Sequence, residues 1–241
     1  LPGSSIKRVY DESVARYEAL LDEVEILIGE YEDSLAASLD TTGMEVPVLV
    51  RNSLSWERSE WVRAGEKWLY VTVPGMGYTV VDAGARHAKA NVPGTLSAGE
   101  SELENELLRV RFAADGTIVS LYDKRAGREV IPEGQAANQL LVFRDLGDAW
   151  DFPMDYAEQA PRALELVSAQ ARVDGPRAIL EHVYRCGNSR GHSELRQTVV
   201  LAAGSARLDF HNQLHWRETQ SMLRARFPVA VHAESATYEI Q

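Results

Sequence analysis

Two hydrophobic periods meet at Thr41-Thr42-Gly43, and that junction restricts the fold more than any other feature of the chain. Upstream of it, apolar residues fall at Tyr10, Val14, Tyr17, Leu21, Val24, Ile28, Tyr31 and Leu35. The steps alternate between four and three, which is the seam of a heptad helix. The opposite face carries Asp11, Glu12, Glu18, Asp22, Glu25 and Glu32. Ser4-Ser5 stands where a serine oxygen can cap the first turn. A helix of about 30 residues is roughly 45 Å long, and its apolar stripe has to be covered. Nothing downstream reads as a second long helix. The expected cover is therefore another copy of the chain or helices upstream of Leu1, and the chain reads as a piece of a longer protein.

Downstream of Gly43 the period drops to two. Short strands are predicted over 46–50, 61–64, 68–73 and 78–82, followed by a polar connection over 81–99. Strands over 107–112 and 117–122 flank Ala114-Asp115-Gly116, whose Asp-Gly pair signals a hairpin. Further strands are predicted over 139–143, 163–173, 178–185, 195–201, 207–214, 222–228 and 238–241. Many short strands without intervening helices predict antiparallel sheets packed as a β-sandwich, preceded by one long α-helix. The expected division is a helical segment over 1–40, a small β domain or first sandwich strands over 41–100, and a large sandwich over 101–241 that stops mid-strand.

One connection stands apart. Arg144-Asp145-Leu146-Gly147-Asp148-Ala149-Trp150-Asp151-Phe152-Pro153-Met154-Asp155-Tyr156 separates two strands with a long loop rich in carboxylates and aromatics. Such loops are usually functional or disordered, and this composition is poor for disorder. Aromatic faces can stack on sugar C–H groups while carboxylates accept from hydroxyls. Equally, Trp150 and Phe152 can plug a core while Asp148 and Asp151 cap turns. A glycosidase needs two carboxylates across the scissile bond, and Asp145, Asp148, Asp151 and Asp155 are available, but spacing on a loop fixes no distance.

Other chemistries find little support. The formal net charge of −11 disfavours nucleic acid and anionic membrane surfaces. No run is long enough to span a membrane, and no basic-then-apolar leader opens the chain, so a cytoplasmic location is expected. The single cysteine, Cys186, excludes an internal disulfide or a thiolate cluster and reads as a half-buried structural thiol. His211 and His215 would share a face on a strand, but no third metal ligand is evident. No Ser-His-Asp arrangement, Gly-x-Ser-x-Gly, phosphate loop or Rossmann fingerprint occurs.

Five blocks in order carry a resemblance: Arg51-Asn52-Ser53-Leu54-Ser55-Trp56-Glu57-Arg58, Val71-Thr72-Val73-Pro74-Gly75-Met76-Gly77-Tyr78, Leu103-Glu104-Asn105-Glu106 on to Arg111, Ser120-Leu121-Tyr122-Asp123-Lys124, and Ala149-Trp150-Asp151. Together they resemble the C-terminal region of retaining α-mannosidases of glycoside hydrolase family 38, and Leu1-Pro2-Gly3-Ser4-Ser5-Ile6 resembles the segment just after that family's His-Asp metal site. The resemblance implies a supersandwich-like β region after the last helix of a helical middle domain, with a catalytic barrel further upstream. It implies a zinc ion gripping two mannose hydroxyls and an aspartate nucleophile. Both would lie outside this chain, so no catalytic residue and no metal ligand is assigned here.

Trp150 and Asp151, with Asp155 and Tyr156 less directly because Phe152-Pro153-Met154-Asp155 departs from the family's pattern, would help wall the sugar pocket. Asn52, Tyr78, Asn105 and Tyr122 would shape turns and core. The implied partners are an oligosaccharide with terminal α-mannose, the upstream barrel and the middle-domain helices, with a homo-oligomer as another cover for the helix stripe. A non-catalytic carbohydrate-binding or interaction module, or a glycosidase using the loop carboxylates, are the alternatives. Arginine far outnumbers lysine, which points to a GC-rich bacterial source.

Overall fold

The computed structural model describes residues 5–84, 96–147, 151–188 and 191–237. Two compact units divide the chain, Leu1–Asn91 and Val92–Gln241.

The first unit opens with α1 (Lys7–Ala37), none of whose residues is buried. Its heptad stripe, including Val14, Tyr17, Leu21 and Val24, is exposed. The cap residue is Ile6 rather than a serine, and no side chain bonds the first turn; Ser5 sits one residue too early to reach it. The first turn has no acid and the last no base, so the macrodipole is uncompensated and the helix gains little from its own ends.

Beyond it, β1 (Pro47–Asn52) pairs antiparallel with β4 (Gly77–Asp82), and β2 (Arg58–Ala64) with β3 (Lys67–Val73). Alternation along β3 buries Leu69, Val71 and Val73, which pack with Ala83, Val48, Val50 and Val62. Asn52 is buried and holds the following turns together. Its Nδ2 donates to the carbonyls of Trp56 (2.7 Å), Pro74 (3.1 Å) and Val73 (3.3 Å), and its Oδ1 accepts from the Leu54 amide (3.1 Å).

In the second unit a five-stranded antiparallel sheet runs in chain order: β5 (Ser97–Gly99), β6 (Glu102–Glu104), β7 (Leu108–Phe112), β8 (Ile118–Asp123) and β9 (Arg128–Glu129). The first two strands fall where a polar connection and a solvated acidic entry are expected from sequence. Leu103 is fully buried between its two glutamates, and Ala98 packs against the same core, so alternation outweighs the acidic composition. A four-stranded sheet of β12 (Glu165–Asp174), β13 (Arg177–Asn188), β14 (Gly191–Ala202) and β15 (Leu208–His215) faces the first. The shared core holds Leu103, Val110, Phe112 and Ile118 from one sheet and Ala178, Leu180, Val199 and Leu201 from the other. This is the sandwich. A third sheet places β10 (Gln139–Arg144) between β11 (Arg162–Ala163) and β16 (Ser221–Arg226). Its inner face adds Leu140 and Val142 to Leu164, Tyr184 and Leu195 in a second core. The strand expected over 238–241 lies outside the described residues, as does most of the connection over 81–99.

Between the two apolar clusters runs a polar row that is buried at His182, Gln197 and Asn138 and reaches the surface at Asn212. His182 and Gln197 face each other across β13 and β14, and Gln197 faces Asn212 on β15. Gln197 exchanges two amide bonds with Asn138, at 2.7 and 3.1 Å, and donates to Asn212 Oδ1 at 3.0 Å. Tyr184 Oη lies 3.0 Å from His182 Nδ1 and 3.3 Å from the Gly116 carbonyl oxygen. Burial holds the imidazole of His182 neutral, its pKa lowered to about 4. Gly116, at φ +79°, is indispensable here, because an added Cβ would stand 2.1 Å from Tyr184 Oη. Asn105 is fully buried. Its Nδ2 donates to the carbonyls of Ala202 and Ser205 (2.7 Å each), while its Oδ1 accepts from the amides of Leu107 (2.8 Å) and Leu108 (2.7 Å).

Candidate functional site

The long loop leaves β10 and folds over that strand's outer face. Gly147 approaches the Asp151 carbonyl so closely that an added Cβ would lie 2.1 Å from its oxygen, which explains a glycine at this point. After Pro153 the chain makes a single 3-10 turn over Tyr156–Glu158. Gln159 then fastens the returning strand: the Arg144 amide donates to its Oε1 (3.0 Å), and its Nε2 donates to the Arg144 carbonyl (3.1 Å).

This arrangement encloses a pocket of about 640 Å³ lined by Phe143, Tyr156, Gln159, Arg224, Arg226 and Phe227 among others. Strand pairing sets the floor: Leu141 lies opposite Arg224, and Phe143 opposite Met222. Tyr156 is wedged edge-on by Phe143 (centroids 5.6 Å apart) and Phe152 (5.4 Å), and the Arg224 guanidinium lies 4.3 Å from its ring centroid. A rigid aromatic wall with polar groups at its rim can hold a small polyhydroxylated ligand.

Of the described loop residues singled out from sequence, Tyr156 alone lines this pocket. Asp155 precedes the 3-10 turn as its cap residue, exposed and without a side-chain cap bond. Asp151 is exposed on the loop, and Trp150 lies outside the described residues, as does Asp148. Phe143, Gln159, Arg224, Arg226 and Phe227 were not anticipated. Arg224-Ala225-Arg226 does alternate as a strand should, which places both arginines on one face. Nothing in that pattern tells that Tyr156, 68 positions before Arg224 (224 − 156), packs against it.

The other candidates prove ordinary. Cys186 is half-buried, and burial raises its thiol pKa, the opposite of nucleophilic activation. His211 and His215 are exposed on β15, and Arg217 Nε donates to His215 Nε2 at 2.8 Å. Among the described residues no three His, Cys, Asp or Glu side chains are placed to hold a metal. No helix among them is long and apolar enough to cross a membrane.

A face-to-face antiparallel sandwich, with an aromatic pocket outside its third sheet, defines a β-sandwich domain. Residues 103–241 match the model described as the glycosyl hydrolases family 38 C-terminal domain, and the chain belongs to that family. It is 30% identical over 254 residues to alpha-mannosidase 2C1 of Homo sapiens and 29% identical over 263 residues to alpha-mannosidase 2C1 of Mus musculus, in each case covering 99% of this chain and 24% of the relative. Alpha-mannosidase G of Dictyostelium discoideum is 30% identical over 151 residues, which cover 60% of this chain and 14% of that protein. The chain thus spans about a quarter of the length of the two mammalian relatives.

Proposed function

We propose that this chain forms the C-terminal β portion of a retaining, zinc-dependent α-mannosidase that hydrolyses terminal α-mannosyl linkages, and that alone it supports the sugar pocket without performing the chemistry. The observation that carries this reading is the family match over 103–241. In this reading, as the family resemblance implies, the metal is held elsewhere in the enzyme, and no step of the reaction is assigned to residues of this chain. As the family resemblance implies, the loop after β10 would contribute Trp150, Asp151, Asp155 and Tyr156 to the wall of the sugar pocket, and Tyr156 is set there against Phe143 and Phe152. The exposed stripe of α1 is the surface on which helices of the larger protein dock, and the enzyme works in the cytoplasm.

The test is hydrolysis of an aryl α-mannoside, with and without added zinc, by this chain and by a longer chain extended upstream. Turnover by the longer chain alone is the expected result, and Trp150→Ala or Asp151→Asn in it should reduce turnover. Hydrolysis by the 241-residue chain itself would refute the assignment.

A further inference from the structure

The pocket beside Tyr156 has a charge character that a neutral sugar does not call for. Arg224 and Arg226 are separated by one residue on β16, so both side chains leave the same face of the sheet, about 6.7 Å apart along the strand. Both line the pocket, and Arg226 also borders a neighbouring cavity of about 590 Å³ with Gln135 and Gln139. The chain carries 36 acidic and 25 basic residues. Its carboxylates engage arginines on many strands, among them Arg111, Arg162, Arg172, Arg185 and Arg196. Among the described residues no carboxylate comes within ion-pair distance of Arg224 or Arg226.

The Arg224 guanidinium is instead held by the Tyr156 ring, a contact that fixes the fork without consuming its hydrogen-bond donors. Two forks at one pocket wall, one of them pinned by an aromatic, match the bidentate geometry of a carboxylate or a phosphate. The aromatic residues beside them supply a surface for a sugar ring.

We propose that this pocket takes an anionic saccharide, with the ring against the aromatic wall of Tyr156 and Phe227 and a carboxylate or phosphate substituent held between Arg224 and Arg226. The proposal rests on the reading of this pocket as a sugar site. It is tested by titration calorimetry of the 241-residue chain with methyl α-mannoside, mannose 6-phosphate, mannuronate and inorganic phosphate.

At least one of the two charged sugars should bind about tenfold or more tightly than the neutral mannoside, and more tightly than inorganic phosphate. Whichever of the two binds better identifies the substituent. Arg226→Gln, which leaves the Tyr156 stack in place, should lower that affinity about tenfold or more, as should Arg224→Lys, which keeps the charge and loses the fork. Circular dichroism of each variant should match the parent chain.

Equal affinity for neutral and charged sugars would overturn the anion assignment, as would inorganic phosphate binding as well as its sugar ester. Indifference to both substitutions would overturn it too, and so would the absence of binding by every saccharide. Aryl α-mannoside hydrolysis by the longer chain is read separately, so any of these failures leaves the family-based reading standing.

Discussion

Replacing Gly116 with alanine should be among the most damaging single-methyl additions in the 92–241 unit, and its cost can be worked from the structure. The residue is at φ +79°, where an L side chain costs about 1–2 kcal/mol. The new Cβ would also stand 2.1 Å from Tyr184 Oη and 2.9 Å from its Cζ. Tyr184 is buried in the second core, so it can move only by giving up its contacts with the Gly116 carbonyl and His182 Nδ1, at about 1 kcal/mol each.

The sum is about 3–4 kcal/mol for Gly116→Ala. Tyr184→Phe alone should cost about 2 kcal/mol for the same two bonds. Because the bonds can be lost only once, the double variant should be about 2 kcal/mol less destabilised than the sum of the singles. Urea dependence of hydrogen exchange at the β13 and β14 amides reads this unit separately from the first. Strict additivity, or a single-variant cost below about 1 kcal/mol, would refute the claim that the hydroxyl and the glycine carbonyl share one fixed geometry.

The unfolded state binds a proton at His182 near pH 6.5 whereas the folded state waits until about 4, so the stability present above pH 6.5 should fall as pH drops toward 4. At about 1.4 kcal/mol per pKa unit the loss reaches about 3 kcal/mol. Unfolding midpoints between pH 6.5 and 5, above the range where Glu129 and Glu194 take up protons, should show the slope, and His182→Leu should flatten it. Asn105→Ala strips partners from two carbonyls and two amides at once and should cost about 3 kcal/mol or more; a loss under 1 kcal/mol in urea unfolding would contradict the bonding described. Cys186, with its thiol pKa raised by burial, should react with Ellman's reagent far more slowly in the native chain than in urea, and equal rates would show that the side chain is not shielded.

The helix, the antiparallel sheets and most strand positions are legible from periodicity alone, because alternation is a direct record of which face is buried. The strands over 97–99 and 102–104 are not, since a three-residue strand holding one buried Leu103 between glutamates has too few alternations to outvote its charges. The structural roles of Asn52 and Asn105 follow from their placement at turns. Tyr156 draws notice from its place in an aromatic-rich loop, whereas Arg224 and Arg226, which line the same pocket, do not, because their meeting with Tyr156 depends on β16 pairing with β10. That pairing closes a separation of some eighty residues, and no local pattern encodes it.

The polar row at His182 and Gln197 also has a consequence for how β13 and β14 find each other. A slip of two residues would keep every inward side chain inward, and the aliphatic neighbours Leu180, Val199 and Leu201 would fill a shifted groove nearly as well. The amides and the imidazole would not, since the slip would set Gln197 against Leu180 or Tyr184 and separate Asn138 from its mate. Directional groups buried among interchangeable ones serve as an index mark, so a misregistered hairpin would carry unsatisfied polar atoms in its interior and reopen before the sandwich closes on it.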